Sequence, residues 1–350
     1  MGDNLRIAVI IPYRHRGDDG LLPWILEGYA SQRLAPGNAF DVHIGIDGAE
    51  PESLTQIRPP SGLSVGIHRY PRIGAAAVRN ALVREASGDT EILVFGNADA
   101  RPFPDMVQRH ASRLAHLPAR SLVLGSAPWE SPANRSPRVF DAMIARTPMI
   151  FQYGQLRPHE WTDFRSAWTL NLSARRSDFI ESGGFHEELR PVFYEDLAFA
   201  HRLMGLRAGV WYEPETAVQH RHPMTVDGYL DREELLGMMA PVLARVSPGA
   251  FSALFKSRHV LQLAAEFRQQ VAKESTSLRQ VYEELRRAES MPLDALGQAQ
   301  EQSLMAFFQM HLPLKQFAFR LGFLHGLDLV EDQSWQMRRP AGLWRRILPA

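Results

Sequence analysis

The sequence predicts an α/β fold, in which a mostly parallel, doubly wound sheet is followed by a mostly α-helical C-terminal region. Between residues 1 and 125, short apolar runs alternate with segments of helical periodicity, which is the pattern of such a sheet. After about residue 225, helical periodicity dominates and strand-like runs are few. The composition, 45% hydrophobic and 22% charged, is that of a globular protein with a large core.

The predicted elements follow in order along the chain. The first part has strands at residues 7–11, 41–46, 63–68, 91–95 and 121–124, and helices at 21–34, 73–86 and 104–117. Residues 126–167 show no clear periodicity. Further strands are expected at 168–174, 209–212 and 216–222, and further helices at 175–185 and 195–206. Because the composition changes near residue 225, we predict two domains, residues 1–225 and residues 226–350.

Charge and cysteine content narrow the function classes. The 39 basic residues balance 39 acidic residues, so nothing global favours a nucleic-acid partner. The absence of cysteine excludes disulfides and thiolate metal sites. No apolar run approaches the roughly 20 residues of a membrane span, and we expect a cytoplasmic protein. Residues 335–350 are basic and aromatic, which has two interpretations: peripheral contact with a membrane, or a packed terminus.

Polar side chains follow a buried predicted strand in the stretch FGNADARP, residues 95–102. Ligands of open α/β sheets bind at the carboxyl ends of strands, where Asn97 and Asp99 lie. Asp99 offers a hard oxygen ligand for Mg²⁺ or Mn²⁺, whereas Asn97 offers a carbonyl oxygen without charge. Taken alone, the stretch favours a turn.

Three other stretches carry candidate nucleotide contacts. Tyr13 ends the first strand after Pro12 and would place an aromatic ring at the top edge of the sheet, although an ordinary strand exit has the same pattern. Asp47 ends the second strand and could accept from a nucleotide, although Asp-Gly also favours a turn. The planar fork of Arg79 suits a diphosphate, and the alternative is a solvated helix residue.

Carboxylates and histidines follow in the second half of the predicted sheet. Glu195 and Asp196 begin a helix, where a carboxylate is either a helix N-cap or a rigidly held general base. His220 and His222 lie two residues apart in a strand-like segment, so they would share a face. Either imidazole could ligate a metal, and a surface pair is the alternative.

In this order, the segments resemble the family 2 glycosyltransferases of the GT-A fold. The resemblance covers residues 5–225 and rests on VIIPYRHR, IGIDGAE, GAAAVRNALVREASGDTEILVFGNADARPFPDMV, SGGFHEEL, YEDLAFAHRLMGLRAGV and VQHRH. It implies a Rossmann-like GT-A domain that moves a sugar from a nucleoside-diphosphate sugar to an acceptor and inverts the anomeric configuration. UDP is the expected nucleotide. The implied cofactor is Mn²⁺ or Mg²⁺.

The resemblance also implies a role for each matching residue. The nucleotide-sugar side would comprise Pro12, Tyr13, Arg14, Asp47, Arg79, Asn97, Ala98 and Asp99. The acceptor-side turn would comprise Gly183, Gly184 and Phe185. Asp196 would be the catalytic base, with Glu195 beside it. The metal ligands would be Asp99 and His220, with Asn97 facing the metal or the ribose and His222 the less favoured ligand.

The sequence also departs from the family pattern. Asn97 replaces a carboxylate, IDGAE lacks the usual Asp-Asp-x-Ser, and Arg14 stands where Asn is common. Two alternatives to an active transferase therefore stay open: a non-catalytic GT-A protein that binds nucleotide sugar, and a GT-A nucleotidyltransferase. Residues 226–350 carry no recognisable motif. Three roles stay open for this region: acceptor binding, formation of a homodimer, and contact with a membrane or protein partner. The acceptor could be a saccharide, a lipid-linked glycan, a small molecule or a protein.

Overall fold

The chain divides into two compact units in a computed structural model. The model describes residues 4–15, 21–48, 58–131, 135–190, 193–205, 209–257, 259–273, 278–332 and 342–347. Unit 1 comprises Met1–Glu130 and Leu156–His222, and unit 2 comprises Ser131–Gln155 and Pro223–Ala350. The chain crosses between the units three times, and the third crossing, between His222 and Pro223, falls near the predicted boundary at residue 225. Residues 131–155, which the sequence placed in the first domain, belong to unit 2.

Unit 1 is built on one mixed sheet, which confirms the predicted α/β class. Its described strands are β1 (Arg6–Tyr13), β2 (Ala39–Asp47), β3 (Val65–Tyr70), β4 (Ile92–Gly96), β5 (Ala100–Pro102), β6 (Leu122–Ser126), β7 (Trp161–Thr162), β8 (Asn171–Arg175) and β9 (Val210–His220). Their order is β3-β2-β1-β4-β8-β6-β9-β5, and β7 pairs with β9. The strands β3, β2, β1 and β4 run parallel, as do β6 and β9, whereas β8 is antiparallel to both of its neighbours.

Helices cover the sheet in unit 1 and dominate unit 2. In chain order they are α1 (Leu21–Ala30), α2 (Ala75–Glu85), α3 (Met106–His116), α4 (Val139–Arg146), α5 (Arg176–Glu181), α6 (Glu195–Met204), α7 (Val226–Val246), α8 (Pro248–Phe255), α9 (Val260–Lys273), α10 (Leu278–Ser290), α11 (Gln300–Asp332) and α12 (Leu343–Ile347). Unit 2 contains α4 because this helix packs on α10 and α11 of that unit.

The parallel strands place polar residues at one edge of the sheet. Ile7–Ile11 of β1 is fully buried because both faces of a parallel sheet are covered, and the run is therefore continuously apolar. The strands β1, β2 and β4 end at Tyr13, Asp47 and Gly96, so the residues that follow them share the ligand-binding edge expected for open α/β sheets.

Three predicted strands differ from the observed ones. The predicted strand at 168–174 begins only at Asn171, because the backbone N–H of Asn171 first closes a turn onto the carbonyl oxygen of Trp168. The predicted strands at 209–212 and 216–222 form the single strand β9, whose pairing with β6 shifts register at Gly125 and Ser126. His222 therefore lies beyond the end of β9 rather than inside a strand.

The tail of the chain contributes a packed residue to unit 2. Trp344 is 1% exposed, and its indole Nε1 donates to Oδ1 of Asp231 at 2.8 Å. Of the two interpretations of the basic, aromatic tail, Trp344 therefore supports the packed one, whereas residues 335–341 and 348–350 lie outside the described residues. Among the helices that the structure describes, none is both long and apolar enough to cross a membrane.

Three glycines let α7 and α11 approach closely within unit 2. A Cβ atom at Gly322 would lie 1.8 Å from the backbone oxygen of Glu234, and one at Gly237 would lie 1.9 Å from that of Phe319. Gly326 meets the backbone of Met238 in the same way, at 2.2 Å. These helices consequently pack backbone against backbone, and any side chain at these positions must push them apart.

We expect Gly322→Ala to destabilise unit 2 by roughly 2 kcal/mol, because the added methyl group overpacks this contact. Helix propensity alone would give the opposite sign, a gain of about 1 kcal/mol. Thermal unfolding followed by circular dichroism at the helical band measures the difference. Gly154→Ala is the control, because no atom lies within 4 Å of a Cβ built there. An unchanged or raised melting temperature for Gly322→Ala would contradict the close packing.

Candidate metal and carboxylate site

A carboxylate and two imidazoles meet beside β5. Pairing of β5 with β9 sets Ala100 opposite His220, and the backbone N–H of Arg221 donates to the carbonyl oxygen of Asp99 at 2.8 Å. The side chain of Asp99 consequently lies between the two histidines. Its Oδ2 is 3.0 Å from Nδ1 of His222 and 3.6 Å from Nε2 of His220.

The electrostatics of this cluster fit a divalent cation. Burial acts to raise the pKa of Asp99, but hydrogen bonds and charge interactions with His220 and His222 hold that pKa well below its usual range. Oδ1 of Asp99 is buried and has no hydrogen-bond partner among the described residues. One carboxylate oxygen and two imidazole nitrogens, all within 4.8 Å of one another, form a donor set suited to a divalent metal.

An aromatic residue that the sequence did not single out covers the cluster. The ring of Trp129 lies 4.2 Å from that of His220, centroid to centroid. The backbone fixes this contact, because the N–H of His220 donates to the oxygen of Pro128 and the N–H of Glu130 donates to the oxygen of His220. Trp129 lies in a stretch without periodicity, so no sequence signal marked it.

Arg79 joins the segment before Asp99 to the start of α6. It is 3% exposed, and its guanidinium donates to Oε1 of Glu195 at 2.9 Å and to Oδ1 of Asn97 at 2.8 Å. These partners differ from the diphosphate that the resemblance implies, and both terminal nitrogens of the fork are engaged. The oxygen of Asn97 is likewise directed at Arg79 in this structure.

Asp196 lies in the first turn of α6, and two residues shortly before it in the sequence have an unusual backbone conformation. Phe193 and Tyr194 have φ values of 83° and 69°, and Tyr194 is the residue at the N-cap position. Such left-handed conformations are costly for bulky residues and cluster at functional sites. Asp196 is therefore not the helix N-cap, although the sequence left that interpretation open.

The environment of Asp196 suits a proton acceptor. Its Oδ1 accepts from the backbone N–H of Leu197 at 2.8 Å, and its Oδ2 accepts from that of Thr169 at 3.3 Å. Burial, together with the neighbouring charge of Glu195, raises the pKa of Asp196 to about 7. A carboxylate with such a pKa accepts a proton readily near neutral pH.

Asn80 holds the turn that contains Gly183, Gly184 and Phe185. Its side-chain oxygen accepts from the backbone N–H of Phe185, and its amide nitrogen donates to the oxygen of Phe185, each at 2.9 Å. The two glycines have φ values of 80° and 71°, a region that favours glycine. Asn80 was not among the predicted site residues, and its burial at 7% exposure is evident only from the structure.

The residues predicted to bind the base lie at this edge of the sheet, and two of them are engaged within the protein. Tyr13 is 2% exposed and is counted in the core. Oδ1 of Asp47 accepts from the backbone N–H groups of Ile73 and Gly74, at 2.7 and 3.0 Å. Three further predicted residues are partly buried at the same edge: Pro12, Arg14 and Ala98.

Comparison with solved structures gives the class of the fold. The mannosyltransferase PcManGT from Pyrobaculum calidifontis, in complex with GDP-Man and Mn²⁺, is 16% identical, with a TM-score of 0.54 over 95% of this chain and 88% of that one. TarS 1–349 of S. aureus matches at 13% identity and a TM-score of 0.48, over 97% of this chain and 95% of its own. GalNAc-T7 with UDP, GalNAc and Mn²⁺ matches at 15% identity and a TM-score of 0.48 over 66% of this chain. The alignment spans 48% of the GalNAc-T7 chain, about half of its length.

The sheet and the mannosyltransferase match together identify the GT-A fold that the sequence predicted, with a helical region after it. No protein-family model matches the chain, and no curated protein matches it in sequence. At 16% identity the structural likeness establishes the fold alone.

Proposed function

We propose that the chain is an inverting, metal-dependent glycosyltransferase of the family 2 type, which moves a sugar from a nucleoside-diphosphate sugar to an acceptor. One observation carries the proposal. Arg79 binds Asn97, two residues before Asp99, and also Glu195, directly before Asp196. Arg79 thus connects the segment that carries Asp99, a candidate metal ligand, with the helix start that carries Asp196, whose pKa is raised. Both lie at the ligand-binding edge expected for a GT-A sheet.

Each group has a defined task in this proposal. Asp99 and His220 would hold Mn²⁺ or Mg²⁺, which when bound neutralises charge that develops on the leaving diphosphate. Asp196 accepts the proton of the acceptor nucleophile as it attacks the anomeric carbon, in one displacement with inversion. Its pKa of about 7 supports this task, because a base is most effective when its pKa lies near the working pH.

The surrounding residues position these groups. Arg79 and Glu195 neutralise each other in the interior and fix the start of α6, whereas Asn80 holds the turn that the resemblance assigns to the acceptor side. UDP is the expected nucleotide. GDP is the second to test, because the mannosyltransferase of the same fold was solved with GDP-Man.

Metal removal is expected to abolish both donor binding and transfer. In a thermal-shift screen of UDP-, GDP- and dTDP-sugars with Mn²⁺, the true donor should raise the melting temperature, since a ligand at 100 times its Kd stabilises by about 2.7 kcal/mol. Chelator should cancel the shift and the turnover, and added Mn²⁺ should restore both.

Other outcomes separate the alternatives. Full turnover in chelator would contradict the metal role. A donor-dependent shift without transfer to any acceptor tried would instead support a non-catalytic binding protein. Release of pyrophosphate from a nucleoside triphosphate and a sugar phosphate would identify a nucleotidyltransferase.

A further inference from the structure

We propose that His222 is a third protein ligand of this site, so that Asp99, His220 and His222 bind a divalent cation before any nucleotide arrives. The site would favour Mn²⁺, Co²⁺ and Zn²⁺ over Mg²⁺. The inference rests on the metal role in the proposed function, but it concerns the donor-free protein and is tested without turnover.

The first argument is that Asn97 does not supply a ligand. Its side-chain oxygen lies 2.8 Å from the guanidinium of Arg79, which is 3% exposed. Turning this oxygen towards a cation would remove one of the two described acceptors of a buried positive charge, and such a loss is costly. A cation at Asp99 must therefore take its remaining ligands from elsewhere.

The second argument is the spacing of the donor atoms. A cation with bonds of about 2.1 Å separates neighbouring ligand atoms by about 3.0 Å in octahedral and about 3.4 Å in tetrahedral geometry. Oδ2 of Asp99 lies 3.0 Å from Nδ1 of His222 and 3.6 Å from Nε2 of His220. Both histidines are thus already at ligand spacing from the carboxylate, and His222 is the nearer of the two.

The third argument weighs the plain alternative, a carboxylate that is merely hydrogen-bonded to two imidazoles. That arrangement uses Oδ2 of Asp99 but leaves Oδ1 buried and without a partner among the described residues. A buried unsatisfied oxygen is destabilising, so an arrangement without a cation does not account for this atom. A bound cation would compensate it by neutralising the carboxylate as a whole.

The donor set decides which metals fit. Two imidazole nitrogens and one carboxylate suit the first-row transition metals, whereas Mg²⁺ prefers oxygen ligands and retains several waters. The side chains of His222 and Asp99 are 29% and 21% exposed, so one side of the cluster stays open. Three protein ligands with an open side would hold a cation and still leave positions for the diphosphate of a donor.

The test is metal binding by the full-length, chelator-stripped protein without nucleotide. Co²⁺ titration followed by visible absorption reports on the ligand field, and calorimetry gives Kd for Mn²⁺, Zn²⁺ and Mg²⁺. We expect binding of Co²⁺ and Mn²⁺, and a Kd for Mg²⁺ at least roughly tenfold weaker than for Mn²⁺. His222→Ala should weaken Co²⁺ binding by roughly 100-fold and change the absorption bands.

Three further variants make the result specific. His222→Asn keeps an N–H donor for Asp99 but offers no imidazole, so it should fail like His222→Ala if the residue is a ligand. Asn97→Ala, with its fold checked by circular dichroism, should keep the affinity of the wild type within about threefold, since this residue is no ligand. His116→Ala removes an exposed imidazole on α3 and is the matched control.

The outcomes distinguish this inference from the proposed function. Unchanged Co²⁺ binding in both His222 variants, with loss in His220→Ala, would overturn the inference and leave the transferase proposal standing. Binding that appears only after UDP is added would also overturn it. Nucleotide-free binding that needs all three residues, in a protein that turns over no donor, would support the inference and count against the proposed function.

Discussion

Replacing Asp196 with Asn is expected to lower the transfer rate by roughly 10²–10⁴-fold, the usual contribution of a general base, while donor and metal binding persist. Asn has nearly the shape of Asp, and its carbonyl oxygen can still accept from the backbone N–H of Leu197 or of Thr169. The substitution therefore removes the proton acceptor with little change in packing. Steady-state kcat and the donor Kd from calorimetry measure the two effects separately.

The pH dependence of the wild type provides an independent readout of the same group. Because the pKa of Asp196 is about 7 and only the ionised form accepts a proton, kcat/KM should fall about tenfold per pH unit below 7. Asp196→Asn should lose this acid limb. Asp163→Asn, which changes a half-exposed carboxylate of the same unit, is the control and should keep both rate and profile. Near-normal turnover in Asp196→Asn would eliminate Asp196 as the base.

Local patterns were sufficient to predict the first four strands of the sheet and the place of Asp99 after β4, whereas β5 and β7 were not predicted. Parallel strands buried on both faces must be continuously apolar, so β1 and β4 are visible in the sequence as runs. Parallel strands also end at a common edge, and the polar residues after them fall there by geometry. These two rules depend only on neighbouring residues and on the α/β class.

The partners of the site residues could not be predicted in the same way. Arg79 and Glu195 are 116 positions apart, and the helical pattern of α2 does not show that a charged side chain points inward. Tyr13 ends β1 and was expected to present its ring at the edge of the sheet, yet its side chain is 2% exposed. His222 lies past the end of β9, and only the turn after His220 brings it to Asp99. Each of these outcomes depends on tertiary contacts.

Replacing Arg79 with Met is expected to destabilise unit 1 by about 3–5 kcal/mol, because Glu195 then remains a buried carboxylate without its cation. The side chains of this pair are 3% and 6% exposed, so water cannot compensate either charge. Tryptophan fluorescence during urea unfolding follows the change, since five of the seven tryptophans lie in unit 1. Arg33→Met, in an exposed pair with Asp105, should cost no more than about 1 kcal/mol and is the control.

A double-mutant cycle decides between this anchoring role and the diphosphate contact implied by the resemblance. If Arg79 mainly neutralises Glu195, each single variant leaves one buried charge without a partner, whereas the double variant Arg79→Met with Glu195→Gln leaves none. The double variant should therefore lose at least about 2 kcal/mol less unfolding free energy than the sum of the two single variants. A phosphate ligand would behave differently: Arg79→Met would raise the KM for the donor, leave stability nearly unchanged and show no coupling to residue 195. Measuring stability and KM on the same four proteins therefore tests whether the charge of Arg79 serves the fold of the site or the donor itself.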